Sequence, residues 1–102
     1  MIVARNLYYA ADGQAEAVYR HRLHAADVRV RLGLPRGRVL RRWRGSDTLP
    51  DVIWECEFAD VAAYDADMAA LAASPEYEAV RAHMRTLLRR FERVLWEPEA
   101  GS

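Results

Sequence analysis

Val52-Ile53-Trp54-Glu55-Cys56-Glu57-Phe58 alternates without a break. In an extended chain Val52, Trp54, Cys56 and Phe58 fall on one side, and Ile53, Glu55 and Glu57 on the other. One face suits a core and the other carries charge. Upstream, Val39, Leu40 and Trp43 stand among arginines in a second extended run near residues 37–44. Gly45-Ser46-Asp47 and Pro50-Asp51 supply the loop between the two runs. Two strands joined by a short polar loop predict an antiparallel hairpin.

Downstream of the hairpin the apolar period changes. Asp60 has the character of a helix N-cap, and Tyr64, Met68 and Leu71 follow at helical spacing. Ser74-Pro75-Glu76 restarts the helix, with Ser as cap, Pro at the first helical position and Glu against the helix dipole. Tyr77, Val80, Met84 and Leu87 give its apolar face. The helical span is expected near 61–89, interrupted around Ser74-Pro75, with a last strand near 91–97 closed by Pro98. Upstream of the hairpin, residues 2–9 read as a strand and Asp12-Gly13 as a turn. A helix is expected over 13–33, its apolar stripe formed by Ala15, Tyr19, Leu23, Ala26 and Val30, with Gly33 and Pro35 ending it.

The order is strand, helix, strand, strand, broken helix, strand. That split βαβ arrangement is the ferredoxin-like α+β fold, a four-stranded antiparallel sheet with its helices on one face. The other face still needs a cover, and Glu55 and Glu57 make it polar rather than wholly apolar. A homodimer with a cavity between two sheets satisfies both conditions.

The chain has 102 residues and a mass of 11.7 kDa, enough for one core and no more. A single domain is expected over 1–98, with a flexible tail over 99–102. Fifteen basic and fifteen acidic residues cancel, which argues against a general electrostatic nucleic-acid binder. All the basic residues are Arg. A single cysteine, Cys56, excludes an intrachain disulfide and an all-cysteine metal site. The run Met1 to Arg5 is too short for a signal peptide, and no apolar stretch reaches membrane-spanning length. A cytoplasmic protein that binds neither membrane nor nucleic acid is the expectation.

Asn6-Leu7-Tyr8 followed by Gly13, the Val52 to Phe58 strand, Ser74-Pro75-Glu76-Tyr77 and Leu95-Trp96-Glu97 together span almost the whole chain. In these the sequence resembles the dimeric α/β-barrel superfamily, and within it the NIPSNAP-like and antibiotic-biosynthesis-monooxygenase-like branches. The resemblance implies a ferredoxin-like fold pairing as a barrel. It leaves the activity open, because that superfamily hosts oxygenases, haem degraders, isomerases and dehalogenases. The Glu-x-Arg-x-Tyr pattern common on the first strand of the NIPSNAP-like branch falls on Ala4, Asn6 and Tyr8, with two of the three groups changed. Some haem-degrading members pair a first-strand Asn with a Trp and a His on the second helical segment. Asn6 matches the first and His83 the last, but Trp43, Trp54 and Trp96 all lie in strand candidates.

Four residues are candidates for a site. Asn6 and Tyr8 share one face of the first strand and are expected to bind a ligand, Asn as donor and acceptor and Tyr as a phenol. Glu55 is a candidate general base if enclosure raises its pKa; pairing with neighbouring arginines such as Arg41 or Arg42 would instead hold it ionised. His83, at the border of the buried helix face, is a second candidate for proton transfer. Adjacent first and third strands would let Asn6, Tyr8 and Glu55 converge. His21 and His24 are three apart on a helix without matching acidic partners, and no metal site is expected. Cys56 reads as a buried structural thiol. The run Arg36, Arg38, Arg41, Arg42 and Arg44 is read as charge protecting an edge strand.

No nucleophile triad, phosphate loop or metal spacing selects a reaction, and no cofactor is implied. Two readings stand. One is a dimeric NIPSNAP-like protein with a small-molecule pocket and a non-catalytic binding or stress-associated role. The other is a cofactor-independent monooxygenase-like or isomerase-like enzyme acting on a small organic compound.

Overall fold

The structure is a computed structural model and describes residues 1–100. The last two residues of the expected tail lie outside the described residues. Seven elements follow one another: β1 (Ile2–Ala10), α1 (Ala15–Arg31), β2 (Arg38–Arg41), β3 (Val52–Phe58), α2 (Val61–Ala72), α3 (Pro75–Leu87) and β4 (Leu88–Trp96). The strands form one antiparallel sheet in the order β2-β3-β1-β4. β1 and β3 are therefore the central neighbours, as the ferredoxin-like order requires.

Residues opposite one another in an antiparallel pair share a face, so the register sorts the sheet. Ala4, Asn6 and Tyr8 of β1 stand beside Cys56, Trp54 and Val52 of β3, all buried against the helices. Val39 of β2 and Phe91, Arg93 and Leu95 of β4 belong to the same side. Val3, Arg5, Leu7, Ile53, Glu55 and Leu40 face away from the helices, with Glu92, Val94 and Trp96.

The broken helix follows its capping signals. Asp60 accepts a bond from the Ala63 amide at 2.8 Å, and Ser74 accepts one from the Tyr77 amide at 3.1 Å with Pro75 at the first position. Each side chain satisfies one amide that the first turn leaves open.

Three sequence expectations are corrected. β2 ends at Arg41, short of residue 44, because its ladder stops opposite Val52 and Trp43 stands out in solvent, 88% exposed. β4 begins at Leu88 rather than residue 91, because Ala10 of β1 pairs with Leu88 beyond an irregularity at Tyr9. Most consequentially, the buried face of α1 is not the expected stripe. Ala15 and Val30 are exposed, and the inward face is Val18, Arg22, Ala25, Ala26, Val28 and Arg29. Two arginines occupy core positions, and a stripe drawn through apolar residues alone rotates away from them.

Candidate ligand-binding site

Arg22 and Arg29 lie two turns apart on α1, and both side chains are 1% exposed. Each guanidinium stacks on the indole of Trp54, at 4.9 and 4.5 Å from the ring centre. Burying a guanidinium is costly unless charge and hydrogen-bonding capacity are both met. The two differ in this respect. Arg29 donates through Nη2 to Asp67 Oδ2 at 2.6 Å and through Nε to the Pro35 carbonyl at 2.7 Å. Arg22 reaches only the Tyr77 hydroxyl, through Nη1 at 3.5 Å, and its Nε and Nη2 have no partner. No carboxylate lies within ion-pair distance of Arg22 among the described residues, whereas Asp67 neutralises Arg29.

Arg22 is part of the wall of a cavity of about 350 Å³ between the sheet and the helices. Asn6, Tyr8, Trp54, Phe91 and Arg93 form its sheet side. Met68, Leu71, Tyr77, Val80 and Met84 form its helix side. Phe91, Arg85 and Arg93 are exposed and mark the side open to solvent. Arg93 Nε donates to Asn6 Oδ1 at 3.1 Å, and Asn6 Nδ2 donates to the Tyr8 hydroxyl oxygen at 3.2 Å. Tyr8 thus accepts from Asn6 and keeps its own proton for another acceptor. Burial pushes its pKa above the ordinary tyrosine range, so the phenol is a neutral donor at physiological pH.

The wall therefore offers donors and little else. Arg22 Nε and Nη2, Tyr8 O–H and Tyr77 O–H have protons to give. Among the described residues the wall holds no carboxylate and no imidazole. This is chemistry for holding an oxyanion, and it supplies no general base.

Asn6 and Tyr8 stand in this wall. Glu55 and His83 do not join them, and the expected convergence is corrected. Glu55 pairs with Arg5 across the ladder and faces away from the helices, while Asn6 pairs with Trp54 and faces them. Alternation forbids neighbours in sequence from sharing a face, so an odd position of β3 cannot meet an even position of β1. Glu55 is instead clamped by Arg5 Nε at 2.7 Å and Arg38 Nε at 3.0 Å. The bond from Arg5 above all holds its pKa below the usual carboxylate range, opposite to what a general base needs. The pairing alternative was thus the right one, though the arginines are not Arg41 and Arg42. Those two serve Glu16 and Asp51.

His83 is exposed and packs edge-on against His21, ring centres 4.6 Å apart, outside the cavity wall. His21 is fixed by a 2.8 Å contact from Nε2 to the Val80 carbonyl oxygen, and burial lowers its pKa. Cys56 is buried, and burial pushes its thiol pKa up, which suits a packing residue.

Arg22, the residue that gives this cavity its character, escapes sequence reading. An arginine on a helix is ordinarily a solvated one. One signal was available: Arg22, Ala25 and Arg29 repeat at three and four alongside Val18, so a stripe allowing charged members would have included it.

The architecture is that of the ferredoxin-like α+β class. No protein-family model matches the chain, and no curated protein matches it either. Solved structures do. A NIPSNAP family protein from Agrobacterium tumefaciens superposes with a TM-score of 0.79 at 18% identity, covering 99% of this chain and 88% of that one. An antibiotic biosynthesis monooxygenase gives a TM-score of 0.70 at 13% identity, covering 97% and 99%. A dimeric protein of unknown function with a ferredoxin-like fold from Bacteroides fragilis gives 0.70 at 14%, covering 95% of each chain. In fold the chain is a ferredoxin-like α+β domain, similar to these three structures.

Proposed function

We propose that this protein is a dimeric α/β-barrel protein that binds a small organic molecule in the cavity between its sheet and helices, without turning it over. The observation that carries the reading is Arg22, a buried cation with two unpartnered nitrogens in the wall of a cavity of about 350 Å³. Such a group is tolerated where a ligand completes it. Asn6 and Tyr8 are the ligand-binding residues of the first strand. Binding is favoured over cofactor-independent catalysis because proton abstraction needs an acceptor in reach of the ligand, and the wall offers only donors.

The dimer forms through the sheet face turned away from the helices. Val3, Leu7, Leu40, Ile53, Val94 and Trp96 lie there, with Leu40 and Trp96 40% and 52% exposed. A sheet face that exposes these apolar residues beside the Arg5–Glu55–Arg38 cluster asks for a cover, and a two-fold copy is the simplest one. No helix of the described residues is long and apolar enough to cross a membrane. A small organic compound and a second copy are the partners proposed, in a cytoplasmic setting.

A thermal-shift screen of small aromatic and aliphatic acids, amides and alcohols tests the ligand reading. Some members should raise the wild-type Tm. The same compounds should act less on Ala25→Leu, which fills part of the cavity. A wild type that no compound shifts would sink the reading.

A further inference from the structure

The cavity wall distinguishes among ligands as well as admitting them. We propose that it takes an aromatic monocarboxylate, its carboxylate seated on Arg22 and its flat body lying in the slot between sheet and helices. This rests on the cavity being a ligand site and adds the chemical class of the ligand.

Charge is the first ground. Four other arginines border the cavity: Arg29, Arg81, Arg85 and Arg93. Arg29 is neutralised by Asp67, and Arg81 by Glu78 at 2.9 Å. Arg85 and Arg93 are exposed, where water serves them. Among the described residues that border the cavity, Arg22 alone is a buried cation without a counter-ion, so its part of the wall calls for one negative charge.

Geometry is the second. The unpartnered nitrogens are Nε and Nη2, which form one edge of the guanidinium plane. Two parallel N–H groups on one edge match the two oxygens of a carboxylate. The third nitrogen, Nη1, is the one turned to Tyr77. Tyr8 lies close by, its ring 5.9 Å from the Arg22 guanidinium carbon, and its free hydroxyl proton can join the same oxyanion.

Shape is the third. Two facing parts of the wall are apolar, with Met68, Leu71, Val80 and Met84 above and the Tyr8 and Phe91 rings, 5.3 Å apart, below. A slot between a sheet layer and a helix layer suits a planar group. Methionine side chains adapt to such a group and make favourable contacts with its ring.

Titration calorimetry with 2-naphthoate and 2-naphthamide tests the assignment, because the two differ in charge and hardly in shape. Wild type should bind the carboxylate about tenfold or more tightly than the amide. Arg22→Gln should bring the two affinities within about twofold while leaving amide binding in place, as removal of a single charged fork implies. Arg85→Gln and Arg93→Gln, at the open side, should keep the preference. Equal affinities in wild type, or a preference that survives Arg22→Gln, overturn the proposal while the cavity remains a ligand site. Absence of binding by both compounds fells the ligand-site reading itself. Should Arg22→Gln fail to fold, loss of the preference in Arg85→Gln or Arg93→Gln overturns the assignment to Arg22.

Discussion

Arg22 and Arg29 share one helix face, one degree of burial and one indole, yet substitution should move stability in opposite directions. Replacing Arg29 by Met strands the Asp67 carboxylate, 4% exposed, without its cation. Such a change costs about 3–5 kcal/mol, and urea unfolding should read it as a large drop in midpoint. Replacing Arg22 by Met strands no ion, removes an uncompensated charge and returns an apolar chain of similar length. Arg22→Met is expected to stabilise the unliganded protein by roughly 1–3 kcal/mol in the same experiment, while removing the preference for a carboxylate over an amide. A destabilised Arg22→Met would show that the stacking on Trp54 outweighs desolvation.

Glu55 makes a second prediction at this scale. Its arginine partners depress its pKa, so the folded state releases the proton more readily than the unfolded chain, whose glutamates titrate near about 4.3. The stability it contributes is complete above that unfolded value and is lost as pH falls through the lower folded one. Glu55→Gln should therefore lose part of the wild-type difference in unfolding free energy between about pH 7 and pH 3, as that linkage requires. An unchanged difference would mean that the clamp by Arg5 and Arg38 contributes nothing in solution.

Among the elements, the entry to β2 is the tightest. Gly37 has a φ of +66°, and a Cβ there would come within 2.4 Å of Trp54 Nε1 and 2.8 Å of the Glu55 carbonyl oxygen. The same indole nitrogen donates to the Arg36 carbonyl at 3.0 Å. Backbone close approach thus holds Trp54, which in turn supports both guanidinium groups. Gly37→Ala should cost about 2 kcal/mol or more from the left-handed backbone alone, with the clash adding to it. Circular dichroism during urea unfolding reads the loss, and weaker binding should accompany it. Ser74→Ala, which removes only a cap, should cost about 1 kcal/mol and leave binding unchanged, since Ser74 is not part of the cavity wall. The caps at Asp60 and Ser74 were legible because an N-cap is a local device, satisfied within three residues. The boundary of β4 was not, because the strand is held to Ala10 by a ladder that Arg89 and Arg90 do not announce.

For the whole molecule, the exposed sheet face sets the expected assembly. Leu7 and Ile53 are direct cross-strand neighbours near its centre. Charge at either position would have to be desolvated in a two-fold interface. Ile53→Glu is expected to shift the protein from dimer to monomer in light scattering, with its circular dichroism retained. A wild type that already runs as a monomer would remove the barrel assembly and leave the cavity untouched, because the cavity lies on the other side of the sheet.

The sequence by itself determined the order of elements, the alternation of β3 and the break at Ser74-Pro75. Each of these is written in neighbours a few residues apart, through the period of apolar residues and the capping groups. It also placed Asn6 and Tyr8 on one face and Glu55 on the charged side of its own strand. Which side of β1 meets which side of β3 is a matter of register between residues some fifty apart in the chain. Only the tertiary structure decided that, and with it the separation of Glu55 from Asn6. It alone also decided that two helix arginines lie in the core. A guanidinium on a helix resists burial unless something distant in the chain receives it, and here the indole under both arginines, Trp54, comes from β3 and the carboxylate of Arg29, Asp67, from α2.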